Sequence, residues 1–415
     1  MPAGRPPTDL RRFAARTANY VERKARAARR RLVQSTAPFV DPGAEAAEVL
    51  IYFPERPVRS YQLAQWLPVL ERVAQERGAG IVLRSPGTYE RVRPTTSLPI
   101  ALVPTYDDLM AFYEQGPHKV VLYVNHGKLN FQSLTLRTAL HVHVNHGESD
   151  KRSSFSNQAK AYDRVFVAGD IATRRYLDNV LEFDERRLVQ VGRPPLDVVP
   201  PPSVPPADVP TVLYAPTWEG ESVDNDWSSL RRLGVRIVEQ LLGLGTVRVL
   251  YKPHPRVALS PDPDVQAAHS GILRLLAAAP PAAGHLALVD ADLLGTFAVV
   301  DALVTDVSAV GLDFLFLRPE SPILLTDSRN EPDALATATP LSAGADIVHG
   351  GNVGGVGALV ASRLADDAMR AGRLSVRQRY FGDLAPNGES TARFLEEVGR
   401  LCKLRDELLS PRLRP

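Results

Sequence analysis

Residues 198–219 read VVPPPSVPPADVPTVLYAPTWE, a proline tract that runs directly into an apolar strand. Pro200, Pro201, Pro202, Pro205, Pro206 and Pro210 lack the N–H that a helix or a ladder needs, so 198–210 predicts a stiff, extended connection. The apolar run 211–214 that follows is a strand, and Ala215-Pro216-Thr217-Trp218 breaks it sharply. A linker followed by a restarting strand pattern divides the chain in two.

Upstream, short β-branched runs alternate with helical periodicity: strands at 48–53, 80–83, 119–125, 141–145, 164–168 and 188–191, with helices at 61–77 and 105–115. Downstream the pattern restarts. Strands are expected at 211–214, 247–251, 286–289, 302–304 and 323–325, with helices at 230–242, 265–278, 293–300 and 310–317, and terminal helices at 358–371 and 390–409. Near-continuous apolar strands are those of a parallel sheet covered on both faces. The expected organisation is a basic arm over 1–44, a first α/β domain over 45–197, the linker 198–210, a second α/β domain over 211–385, and a C-terminal helix over 386–415. A chain of 415 residues is too long for one compact core and suits two.

Charge is unevenly placed. Residues 1–31 hold ten Lys or Arg against Asp9 and Glu22, or +8, which leaves about −6 for the remainder of a chain whose net charge is +2. A helix across 10–33 would set Leu10, Phe13, Thr17, Tyr20 and Val21 on one side and arginines around the rest, which suits an anionic membrane surface better than nucleic acid, with a solvated charged helix or a disordered arm as the alternative. With Cys402 as the single cysteine, an intrachain disulfide and a cysteine metal cluster are excluded. No apolar run approaches the length of a membrane span, so a cytoplasmic protein at the inner membrane face is expected.

In parallel sheets, ligands bind beyond the carboxyl ends of the strands, so chemistry is sought in the loops there. After 141–145 comes His146-Gly147-Glu148-Ser149-Asp150-Lys151, in which His146 suits a general base, Glu148 or Asp150 its orientation, and Lys151 a phosphate. Asn125-His126-Gly127 follows the preceding strand, and His126 is a second candidate to line the cleft; His141 and His143, alternating along their strand, read as structural. In the second half, Thr217 and Trp218 follow one strand, and Lys252-Pro253-His254-Pro255-Arg256 follows the next. The prolines flanking His254 restrict its backbone. Thr305-Asp306-Val307-Ser308-Ala309 opens a helix, where Asp306 or Ser308 as cap and the free amides would suit a diphosphate.

In this order the loops resemble the CDP-glycerol glycerophosphotransferase family. The resemblance rests on His146-Gly147 with Lys151, Gly192-Arg193-Pro194-Pro195-Leu196-Asp197, Tyr214 to Trp218, Lys252 to Pro255, and Thr305 to Ser308 followed by Asp313-Phe314. The tail Phe381-Gly382-Asp383 with Asn387-Gly388-Glu389-Ser390 has the same look. It covers roughly 120–400 and implies a GT-B-type fold, two Rossmann-like domains facing each other across a cleft. It also implies His146 as base, His254 stabilising donor phosphate or leaving group, and Thr305, Asp306 and Ser308 at the donor-binding helix start; by position, Asp306 is a further catalytic candidate and Thr217, Lys252, Arg256 and Ala309 are further donor contacts. By position, Lys151, His126 and Arg193 are expected to contact acceptor or phosphate. The donor would be a CDP-activated polyol and the acceptor lipid-linked, with no metal or resident cofactor. The alternatives are a GT-B glycosyltransferase using a nucleotide sugar and a non-catalytic protein of the same fold. The sequence departs from the family in Glu148-Ser149-Asp150 where Thr-Pro-Leu is usual, in Ala309 where a second serine often stands, and in Arg193-Pro194-Pro195.

Overall fold

The computed structural model describes residues 37–220, 222–289 and 291–410, so the basic helix expected across 10–33 lies outside the described residues. Two sheets organise the chain, each flanked by helices on both faces. The first is ordered β1-β4-β3-β2-β5-β6-β7-β8, built from β1 (Phe39–Val40), β2 (Val49–Phe53), β3 (Ala79–Leu83), β4 (Ile100–Leu102), β5 (Val120–Tyr123), β6 (Leu140–His143), β7 (Arg164–Val167) and β8 (Leu188–Gln190). Only the edge pair is antiparallel, with Phe39 opposite Leu102; every other pairing is parallel. The second sheet is wholly parallel and ordered β11-β10-β9-β12-β13-β14: β9 (Thr211–Ala215), β10 (Arg248–Tyr251), β11 (Leu286–Ala287), β12 (Ala302–Thr305), β13 (Ile323–Asp327) and β14 (Asp346–His349). Both run outward from a central strand in two directions, the doubly wound arrangement. Their switch points fall between β2 and β5 and between β9 and β12.

The central strands read as unbroken apolar runs because both of their faces are buried. In β2, Val49, Ile51 and Phe53 enter one core and Leu50 and Tyr52 the opposite one. In β9, Leu213 and Ala215 face one core, Val212 and Tyr214 the other. The proline tract lies along the second half: Arg248 bonds the Pro205 carbonyl, and Val204 is buried in that half's core.

Several elements differ from the sequence expectation. The helix expected at 61–77 is two, α1 (Tyr61–Ala64) and α2 (Leu67–Glu76), because Pro68 fits only the first turn of a helix and therefore restarts it. The expected helix 358–371 is likewise two, Val356–Ala365 and Arg370–Phe381. The short strands β1, β4 and β14, and helix α3 (Asp170–Asn179), are absent from the sequence expectation. The helix expected at 310–317 is present as α4 (Ala309–Leu317), directly after β12. The terminal helix α5 (Glu389–Leu409) returns to the first half, where Phe394, Val398, Leu401 and Cys402 join the core containing Val49, Ile51 and Leu122.

Candidate active site

The two halves meet at their strand ends. Beyond β6 the chain turns at Asn145, which holds φ at 55°, a left-handed conformation tolerated by asparagine. Trp66 Nε1 donates to the Asn145 carbonyl at 2.7 Å, and the Asn145 side-chain oxygen accepts from the His146 N–H at 2.9 Å. These contacts aim His146 across the cleft.

His146 Nδ1 lies 3.1 Å from the Val124 carbonyl, so Nδ1 carries the proton and Nε2 presents a lone pair. Burial above all, opposed by that bond and reinforced by Arg193 and Arg59, lowers its pKa to about 4, so it is neutral at pH 7. His254 is the reverse case. Its Nδ1 accepts from the Arg256 backbone N–H at 3.2 Å, which leaves the proton on Nε2. Burial, then the charges of Lys151 and Arg256, holds it well below the ordinary imidazole range. The two imidazoles therefore present opposite faces of the same chemistry, one an acceptor and one a donor.

Glu148 and Asp150 do not orient His146, contrary to the sequence expectation. Both pair with Arg175 of α3, and Asp150 also accepts from Thr339 at 2.6 Å and from Tyr380. The acidic departure from the family pattern is thus a buried tie between the halves. Lys151 does cross the cleft: its Nζ donates to Thr217 Oγ1 at 2.9 Å, and burial pulls its pKa down to about 8.

In the second half, Asp306 is fully buried and caps no helix. It accepts from the Thr217 N–H at 2.7 Å and from Thr326 Oγ1 at 2.5 Å, joining the ends of β9, β12 and β13. Burial raises its pKa and those bonds oppose the rise. Thr305 is directed back at the Ala215 carbonyl, 2.8 Å away, rather than into the cleft. Ser308 occupies the cap position of α4, and its Oγ has no partner among the described residues. Ala309 meets Gly147 so closely that a Cβ on the glycine would lie 2.8 Å from the alanine methyl.

Lys252 Nζ bonds the Val289 carbonyl at 3.0 Å, and Arg256 lies over the Trp218 ring, 3.3 Å from its centroid. Arg193 is committed to both oxygens of buried Asp313 at 3.0 to 3.2 Å, a tie between the halves rather than an open phosphate contact. His126 stacks on His143 with ring centroids 3.9 Å apart, and burial lowers its pKa to about 4. Neither its nitrogens nor those of His143 have a hydrogen-bond partner among the described residues.

Tyr61 and Gln62, beyond β2, also reach the two histidines, and no sequence motif singles them out. The Tyr61 ring stands edge-on to both, at 6.1 Å from His146 and 5.5 Å from His254. The available signal was position, since β2 borders the first sheet's switch point.

The family model for CDP-glycerol:poly(glycerophosphate) glycerophosphotransferases matches residues 101–325. No curated protein matches by sequence. Among solved structures, the wall teichoic acid polymerase TagF is 14% identical with a TM-score of 0.55, over 97% of this chain and 99% of that one. A variant of that polymerase soaked with CDPG gives 13% and 0.56, over 95% and 98%. A putative UDP-N-acetylglucosamine 2-epimerase from Listeria monocytogenes gives 14% and 0.55, over 85% and 96%. At these identities the likeness is one of fold, the two-domain GT-B type.

Proposed function

This chain belongs to the CDP-glycerol:poly(glycerophosphate) glycerophosphotransferase family, and from that premise we propose that it moves glycerol phosphate from CDP-glycerol to a hydroxyl of a lipid-linked acceptor in teichoic-acid-type polymer synthesis, releasing CMP. The observation that carries this reading is the pair of imidazoles, one from each half, with opposite tautomers set by backbone contacts.

The chemistry follows from that pair. His146 Nε2 takes the acceptor hydroxyl proton as the oxygen bonds the β-phosphorus of the donor. The bond from that phosphorus to the CMP oxygen breaks, and its electron pair stays on CMP. His254 Nε2–H donates a hydrogen bond to the departing oxygen. Lys151 and the free amides opening α4 at Ala309 offset the remaining phosphate charge. Asp306 acts in this reading by holding Thr217 in place. Attachment of residues 10–33 to an anionic membrane surface belongs to the same proposal; no described helix is long and apolar enough to cross a membrane.

The test is CMP release from CDP-glycerol with a lipid-linked acceptor analogue, comparing wild type with His146→Ala and His254→Ala. Acceptor-dependent release should fall at least about a hundredfold in both variants. A wild-type protein that releases no CMP, or a His146→Ala variant at full rate, would overturn the reading.

A further inference from the structure

We propose that Tyr61 is a further catalytic residue and Gln62 a positioning residue for this transfer: the Tyr61 hydroxyl hydrogen-bonds the transferring phosphoryl group, and the Gln62 amide, whose long bond occupies the His146 Nε2 lone pair until the acceptor hydroxyl replaces it, keeps that nitrogen an acceptor facing the cleft. The proposal rests on the glycerophosphotransfer reading above.

Three backbone groups, whose roles as donor or acceptor admit no choice, determine the direction of every bond around Tyr61. The Gly127 N–H is a donor, and it lies 2.9 Å from Asn125 Oδ1. That fixes the Asn125 amide, so its Nδ2 donates to Gln62 Oε1 at 2.7 Å. The Gln62 amide is then fixed as well, with Nε2 as its donor. Nε2 lies 3.4 Å from His146 Nε2 and 3.3 Å from the Tyr61 oxygen. The Val124 carbonyl, the second group, independently requires His146 Nε2 to be an acceptor, in agreement with a Gln62 donor. Asn125 and Gln62 are both buried, which gives the link a fixed geometry.

The third group is the Arg256 N–H, which makes His254 Nε2 a donor. That nitrogen lies 3.4 Å from the Tyr61 oxygen. The phenol oxygen thus receives two donors, from Gln62 and from His254, while its own proton has no acceptor among the described residues. A partly buried hydroxyl between two reacting imidazoles, with a proton to give, suits an anionic oxygen. Burial raises the phenol above its ordinary pKa, so it keeps that proton at neutral pH.

Topology supports the same assignment. Tyr61 and Gln62 follow β2, and Asn125 follows β5, the two strands that flank the first sheet's switch point. Gly127 is part of the device, because a Cβ there would lie 2.9 Å from Asn125 Oδ1.

The experiment measures kcat and KM for CMP release from CDP-glycerol with the lipid-linked acceptor analogue, and CDP-glycerol binding by calorimetry, for Tyr61→Phe, Gln62→Met and His146→Ala. Both substitutions at 61 and 62 are close to isosteric, and thermal unfolding checks that each variant folds. Tyr61→Phe should lose roughly ten- to a hundredfold in kcat, the loss expected for a hydrogen bond to a charged group, with donor affinity within about twofold. Gln62→Met should lose kcat by a similar factor, with Gln62→Asn recovering part of it. A merely structural role would weaken binding along with rate. If His146→Ala abolishes release while Tyr61→Phe and Gln62→Met keep kcat within about twofold, the proposal falls and the base assignment stands. Full activity in His146→Ala overturns both.

Discussion

Burial takes His126 and His146 down to about 4 in the folded protein, whereas an unfolded histidine titrates near its ordinary 6.5. Between those values the unfolded chain binds more protons, so stability is complete above pH 6.5 and is lost as pH falls toward 4. Each tenfold difference in proton affinity between the two states corresponds to about 1.4 kcal/mol. Thermal midpoints measured from pH 7.5 to 4.5 should therefore fall, and less steeply in His126→Phe than in wild type. Equal slopes would remove His126 from the account. The residue types at this scale were readable in sequence, and so were His146 and His254 as the groups to watch. Their tautomers were not, because each is set by a carbonyl or an N–H that only the folded backbone brings within 3.2 Å. The partners of Glu148 and Asp150 were hidden for the same reason, since Arg175, Thr339 and Tyr380 come from distant parts of the chain.

The central strands of the two sheets were legible as elements, because burial on both faces leaves an apolar run with little else to signify. Helix limits were less so. A single period suits 61–77, yet Pro68 divides it. The terminal helix α5 was visible by period, but its destination was not. Phe394 packs on Trp66 at 5.3 Å and on Phe166 at 5.7 Å, both of the first half. Phe394→Ala should cost about 3–5 kcal/mol, read as a lower urea midpoint. A loss below about 1 kcal/mol would mean that the helix is dispensable to that core.

At the scale of the whole molecule, the halves approach so closely that Gly147 and Ala309 leave no room for another methyl group. Gly147→Ala should hold them apart and reduce CMP release at least about tenfold, a barrier of roughly 1.4 kcal/mol, with little effect on the stability of either half. Ala309→Gly in the same chain should restore much of the rate. Failure of that rescue would show that Gly147 serves its own loop and not the closure. Ala309, a departure from the family pattern when read alone, is therefore one side of a contact. Residue order alone dictates what is local: apolar runs that must be strands, prolines that must interrupt, and histidines beside glycine and proline at strand ends. Which groups face one another was decided by the tertiary structure, because a hydrogen bond between Lys151 and Thr217, or an ion pair between Arg193 and Asp313, depends on two sheets docking. Sequence spacing carries no record of that distance, and the energy of a buried pair is realised only when both partners leave water together.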